Sequence, residues 1–139
     1  MPPSARRTPG VEVGFVTRSH FKSAEAHHRA GRLEEATRAY QDCLREHPDD
    51  VAALGGLGRL YQQQGLHADA SPLIERAVAR QPGSAALRVQ WARSLRALGR
   101  SDAALDALYE ATRLAPRDAG AHQELGNLLK HLGHASEAV

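Results

Sequence analysis

Apolar residues recur three and four positions apart along most of this chain, the spacing that gathers side chains on one face of a helix. Between Asp50 and Gln64 they are Val51, Ala53, Leu54, Leu57, Leu60 and Tyr61. Asp49 or Asp50 is placed to cap the start by accepting orphan backbone N–H groups. Gly65 follows the last turn, where the left-handed conformation costs glycine least. A second helix is predicted from about Ala68 to Arg80, with Ala70, Leu73, Ile74 and Ala77 on its apolar face. Pro82 ends it, because proline cannot continue the backbone ladder. The design then returns. Ser84 caps a helix carrying Leu87, Trp91, Leu95 and Leu98, which Gly99 ends. Ser101 caps a partner with Ala104, Leu105, Leu108 and Ala111, which stops near Pro116. Residues 17–30 and 33–46 form the first pair, and residues 118–132 open a fourth whose partner helix is limited to residues 135–139.

The pairs keep strict time. Gly31, Gly65, Gly99 and Gly133 stand 34 residues apart, as do Pro48, Pro82 and Pro116, and Ala36, Ala70, Ala104 and Ala138. Three residue types holding one register predict an all-α stack of repeats, each burying its apolar face on the next.

The repeat resembles the tetratricopeptide repeat (TPR), a helix–turn–helix of about 34 residues. The second repeat carries the pattern as Leu54, Leu57, Gly58, Tyr61, Ala70, Ile74 and Pro82. The third reads Arg88, Trp91, Ala92, Leu95, Ala104, Leu108 and Pro116, and the fourth begins His122, Leu125, Gly126, Leu129. The first departs most, with His20, Ser23, Ala24 and His27 before Ala36, Tyr40 and Pro48. The resemblance covers residues 17–139, as repeats over 17–50, 51–84, 85–118 and an incomplete 119–139. Residues 1–16, with Pro2, Pro3 and Pro9, are expected to be a flexible lead-in. The resemblance implies a right-handed α-α superhelix whose concave face, lined by the first helix of each pair, binds a segment of a partner protein. Gly58, Ala92 and Gly126 on first helices face Ala36, Ala70 and Ala104 on second ones, small where the axes cross. Cys43, Ala77 and Ala111 are equivalent small positions, so Cys43 is expected to be a buried packing residue.

Composition narrows the class further. Of 139 residues 42% are hydrophobic and only 4% aromatic, so helices must pack closely through alanine and leucine. A formal charge of +2 does not suggest a nucleic-acid binder. No apolar run reaches the roughly 18 residues of a membrane span. Arg6 and Arg7 precede no apolar stretch, which argues against a secretory leader. One cysteine fits a reducing cytoplasm. Arginine and alanine in place of lysine suggest a bacterial source.

Catalytic and metal chemistry find no constellation. No phosphate-binding glycine loop or nucleophile motif is present, and no cofactor is expected. His27 and His28 are adjacent and point apart, while His131 and His134 straddle Gly133, so no metal set forms. Glu34, Glu35, Asp102 and Glu137 open helices, where carboxylates suit the dipole.

By resemblance five positions of each first helix look into the groove. They are Arg18, Phe21, Glu25, His28 and Arg29, then Ala52, Gly55, Arg59, Gln62 and Gln63. The later repeats add Ala86, Val89, Arg93, Arg96 and Ala97, then Gly120, Gln123, Asn127, Lys130 and His131. Six of these are Arg or Lys and only Glu25 is acidic. Arg29, Arg59, Gln62, Gln63, Arg93, Arg96, Asn127 and Lys130 are therefore the candidate partner-binding residues. Arginine forks grip carboxylates bidentately, so an acidic peptide is one reading. The other is that arginine is simply the default exposed cation here. Base stacking lacks interleaved aromatic residues. Some relatives clamp a chaperone tail with lysine and asparagine, but Phe21 and Glu25 stand at those positions. Relatives joined to sugar-transferring enzymes carry an asparagine ladder, replaced here by Lys22, Gly56, Gln90 and Glu124.

Leu125, Leu129 and Leu132 lack the capping helix that normally closes such an array. Either this is part of a longer protein, the favoured expectation, or a second copy covers the face as a homodimer. The function expected is a partner-binding adaptor, or the N-terminal module of a larger bacterial enzyme such as a glycosyltransferase or sulfotransferase.

Overall fold

The computed structural model describes the backbone of residues 9–137 and the side chains of residues 18–133. The helices are α1 (Pro9–Arg29), α2 (Leu33–Glu46), α3 (Val51–Gln63), α4 (His67–Arg80), α5 (Ala85–Ala97), α6 (Ser101–Leu114) and α7 (Ala119–Glu137), with no strand among the described residues. Odd helices pack on the even helix that follows, and each even helix packs on the next odd one. The odd helices also touch in the series α1, α3, α5, α7, which makes them one inner row of a helical-repeat superhelix.

Local chemistry builds each pair. Asp50 accepts the Ala53 N–H at 3.2 Å, and Ser84 accepts that of Leu87 at 3.2 Å, so two of the three expected caps are in place. At the end of α3, Gly65 takes φ +76° and its N–H donates to the Gln62 carbonyl at 3.0 Å. The next N–H, of Leu66, reaches back to Tyr61 at 2.8 Å, closing a Schellman turn that satisfies two orphan carbonyls. Gly31 and Gly99 make the same turn.

Small residues set how closely the helices cross. A Cβ on Gly58 would stand 2.6 Å from the Ile74 Cγ1, and Ala36, Ala70 and Ala104 on the second helices are wholly buried. Leu54, Leu60, Ile74 and Leu128 are the largest fully buried apolar side chains. Each contributes about 1.5–3 kcal/mol through the area it removes from water. Cys43 is buried as expected, and burial, followed by the nearby charges of Asp50, Asp42 and Glu46, pushes its thiol up to about 11.

Three details differ from the sequence reading. Helical backbone begins at Pro9, overlapping the lead-in expected over residues 1–16, while residues 1–8 lie outside the described residues. Proline is well suited to a first turn, where its missing N–H has no acceptor to lose. Ser101 is the first residue of α6, not its cap: Arg100 holds that position with no side-chain cap bond. The chain comes straight out of the Gly99 turn, so Ser101 is already helical. Finally, α7 runs through Gly133 instead of turning there. Glycine permits the turn, but a second helix packing back is what holds it. No helix packs back on α7 among the described residues, which also leaves Gly126 open, with nothing within 4 Å of its Cβ position.

Candidate functional site

The inner row encloses an open groove of about 860 Å³. α1 contributes Phe21, Glu25 and His28, one helical turn apart along its inner face. α3 contributes Ala52, Gly55, Gly56, Arg59, Gln62 and Gln63, and α5 Ala86, Val89, Gln90 and Arg93. Gly120 and Ala121 at the start of α7 close the far side. Ala52, Ala86 and Gly120 recur at one register position along its floor. A second hollow of about 590 Å³ shares Phe21 and Ala52 with the groove and is lined further by Arg18, His47, Pro48, Asp49 and Asp50.

The wall over α3 and α5 is locked by hydrogen bonds. The Gln62 amide donates one N–H to the Gln90 carbonyl and one to the Ser94 hydroxyl, both at 2.7 Å. Gln90, only 8% exposed, donates its own amide to the Gly55 carbonyl at 2.9 Å. His67 of α4 lies 3.4 Å from the same Ser94 hydroxyl. A second tie joins α1 to α3: His28 Nε2 is 2.6 Å from Gln63 Oε1, which as an amide oxygen accepts, so this nitrogen carries the proton. The other ring nitrogen is 3.4 Å from the Tyr40 hydroxyl, and the two rings meet edge to face.

Tyr40 belongs to α2, yet it lines the groove. Its ring fills the space that Gly56 leaves, where a Cβ would come within 2.6 Å of Tyr40 Cε1. Burial raises its phenol above the ordinary value, and Glu25 adds to the rise while Arg59 and Arg29 oppose it. The Gly55–Gly56 pair inside a helix was the available signal for this, since glycine there costs stability unless something needs the space. Gln90 and Ser94 gave no comparable signal as buried polar partners.

Of the candidate residues, Arg59, Gln62, Gln63 and Arg93 line the groove together. Arg29, Arg96, Asn127 and Lys130 are exposed but stand outside its lining. Arg93 is bound to Glu124, Nε to Oε1 at 3.0 Å. Asp118 also lines the groove and caps α7 by accepting the Gly120 N–H at 2.9 Å. The lining charges are thus Arg59 and Arg93 against Glu25 and Asp118, a balanced set in place of the cationic excess counted along the sequence. Arg59 makes no hydrogen bond or ion pair among the described residues. In the same residues no three His, Cys, Asp or Glu groups converge as metal ligands, and no helix is long and apolar enough to cross a membrane.

Two family models described as tetratricopeptide repeat match residues 27–92 and 89–139. A TPR repeat-containing thioredoxin of Arabidopsis thaliana is 32% identical over 108 residues, which are 78% of this chain and 15% of that protein. An inactive TPR repeat-containing thioredoxin of the same plant is 36% identical over 93 residues, 67% of this chain and 13% of the relative. The chain therefore spans less than a sixth of either relative. Among solved structures, a mutant O-GlcNAc transferase from Thermobaculum terrenum superposes with a TM-score of 0.78 at 28% identity, over 88% of this chain and 23% of that one. The first TPR of Spaghetti (RPAP3), bound to the HSP90 peptide SRMEEVD, superposes with a TM-score of 0.80 at 17% identity, over 85% of this chain and 94% of that one, a likeness of fold.

Proposed function

The chain belongs to the tetratricopeptide repeat family, and from that membership we propose that its inner groove holds an extended segment of a partner protein, with a carboxylate of that segment on Arg59. The observation that carries the reading is a groove whose walls are already hydrogen-bonded while one lining cation, Arg59, has no partner of its own. Preorganised walls lower the ordering cost of binding. The floor of Ala52, Gly55 and Ala86 leaves room for the segment's side chains, and a guanidinium grips a carboxylate through two parallel bonds. The peptide-bound fold relative supports a segment as the ligand, and the balanced lining supports one acidic contact more than a run of them.

The test is selection of peptides from a random library on the immobilised chain. Ala86 is exposed on the groove floor, so Ala86→Trp fills the groove without entering the core. Enriched peptides should lose binding to Ala86→Trp while its thermal melt stays unchanged. Enrichment that survives the tryptophan places the binding elsewhere and ends this reading.

A second reading has one observation in its favour, the 28% identity to part of an O-GlcNAc transferase. In it the array is a module of a larger enzyme, presenting substrate proteins to an active site outside these residues. The intact mass of the native protein from its source decides: a mass well above 15.0 kDa supports the module. A mass near that value removes it, and leaves the Leu125, Leu129 and Leu132 face of α7 to a second copy.

A further inference from the structure

The inner helices present equivalent side chains 34 residues apart: Glu25 on α1, Arg59 on α3, Arg93 on α5 and Asn127 on α7. The first three line the groove. Arg93 is already satisfied by Glu124, and Asn127 is uncharged. Glu25 and Arg59 remain. Neither makes a hydrogen bond or ion pair among the described residues, and they do not close on each other. Glu25, Arg59 and Tyr40 share the groove lining, and the two charges act on the Tyr40 phenol with opposite sign.

Their separation follows from the packing. α1 and α3 lie side by side in the inner row, and packed helix axes stand roughly 8–10 Å apart. An extended chain advances about 3.3 Å per residue. A segment crossing the row therefore passes from Glu25 to Arg59 in about three residues.

Resting on the peptide-holding reading above, we propose that the groove selects an extended segment carrying one basic and one acidic residue about three positions apart. The basic residue pairs with Glu25 and the acidic one with Arg59. Like-charged segments are disfavoured, because one of their charges then faces its own sign. The selection does not depend on which way the segment runs, since reversing the chain is equivalent to exchanging the two charged residues.

The experiment measures anisotropy of dye-labelled Ala/Ser decapeptides carrying a Lys–Glu pair, a Glu–Glu pair or a Lys–Lys pair at that spacing, or no charge. The wild-type chain should bind the mixed pair about threefold to fivefold more tightly than either like-charged pair, the range for exposed ion pairs. Glu25→Arg should move the preference to Glu–Glu, and Arg59→Glu should move it to Lys–Lys. Neither side chain has an internal partner to lose, and circular dichroism confirms that both variants stay helical. An identical ranking of the four peptides by wild type and both variants overturns the charge selection. In that case uncharged peptide that still binds, and is displaced by Ala86→Trp, leaves the peptide-holding reading standing. Failure of all four peptides to bind wild type removes both.

Discussion

Gln62 and Gln90 are bound across the groove floor in both directions: Gln62 donates to the Gln90 backbone carbonyl at 2.7 Å, and Gln90 donates to the Gly55 carbonyl about two turns back along α3 at 2.9 Å. Carbonyls inside a helix already accept one ladder bond, so these amides use their second lone pairs. The result fixes the offset of α3 against α5, and with it the positions of Ala52, Arg59, Ala86 and Arg93 around the groove.

That network makes a stability prediction. Ser94 is fully buried and receives the second N–H of Gln62. Ser94→Ala should lower unfolding free energy by about 1–2 kcal/mol, the cost of leaving a buried donor unmatched. Urea denaturation measures it. A loss below a few tenths would mean that water replaces the hydroxyl without penalty.

Two glycines in helix interiors should behave oppositely. Gly56→Ala drives a methyl into the Tyr40 ring and should cost about 1–3 kcal/mol through overpacking. Gly126 has open space around it, so Gly126→Ala should stabilise by about 0.5–1 kcal/mol as the unfolded chain loses freedom. Paired thermal melts test the contrast, and equal shifts would refute the placement of Tyr40.

Gly65 and Gly133 occupy the same register but differ in backbone. Gly65 sits at φ +76°, where a side chain costs about 1–2 kcal/mol. Gly133 lies inside α7, so Gly133→Ala should gain about 0.5–1 kcal/mol. If both substitutions destabilise alike, α7 turns at Gly133 after all.

The Cys43 thiol offers a pH test. Its value in the folded chain is about 11, against 9.0 for the ordinary thiol. Below pH 9 the thiol is neutral folded or unfolded and costs nothing. Between pH 9 and about 11 the unfolded chain releases a proton that the folded chain keeps, so stability falls across that window. Cys43→Ala should flatten this part of the stability–pH curve. Native protein should also react with a thiol reagent at least about a hundredfold more slowly than urea-unfolded protein, because access requires opening.

Much of this architecture was open to inspection in the linear pattern. The 34-residue spacing placed the helix pairs, the Asp50 and Ser84 caps and the buried Cys43, because each depends on residues close in the chain or on a face fixed by 3.6-residue periodicity. Arg59, Gln62, Gln63 and Arg93, four of the eight candidate residues, line the groove. Reading failed where neighbours come from another repeat. Arg93 lines the groove, but its pairing with Glu124, 31 positions on, could not be read from local spacing. Tyr40 stood in the sequence only as a position of the repeat pattern, and that Gly56 lets its buried ring through to the groove was not legible there. The break expected at Gly133 depends on a packed second helix, which no local signal reports.

The sequence by itself determined the all-α repeat and its register, since backbone geometry repeats whenever the residue spacing does. Only the tertiary structure decided which inward charges remain without partners. That choice turns on the offset between adjacent helices, set by small residues such as Gly56 and Gly58 and by the Gln62–Gln90 ties, and an ion pair across helices forms or fails within about an ångström of that offset.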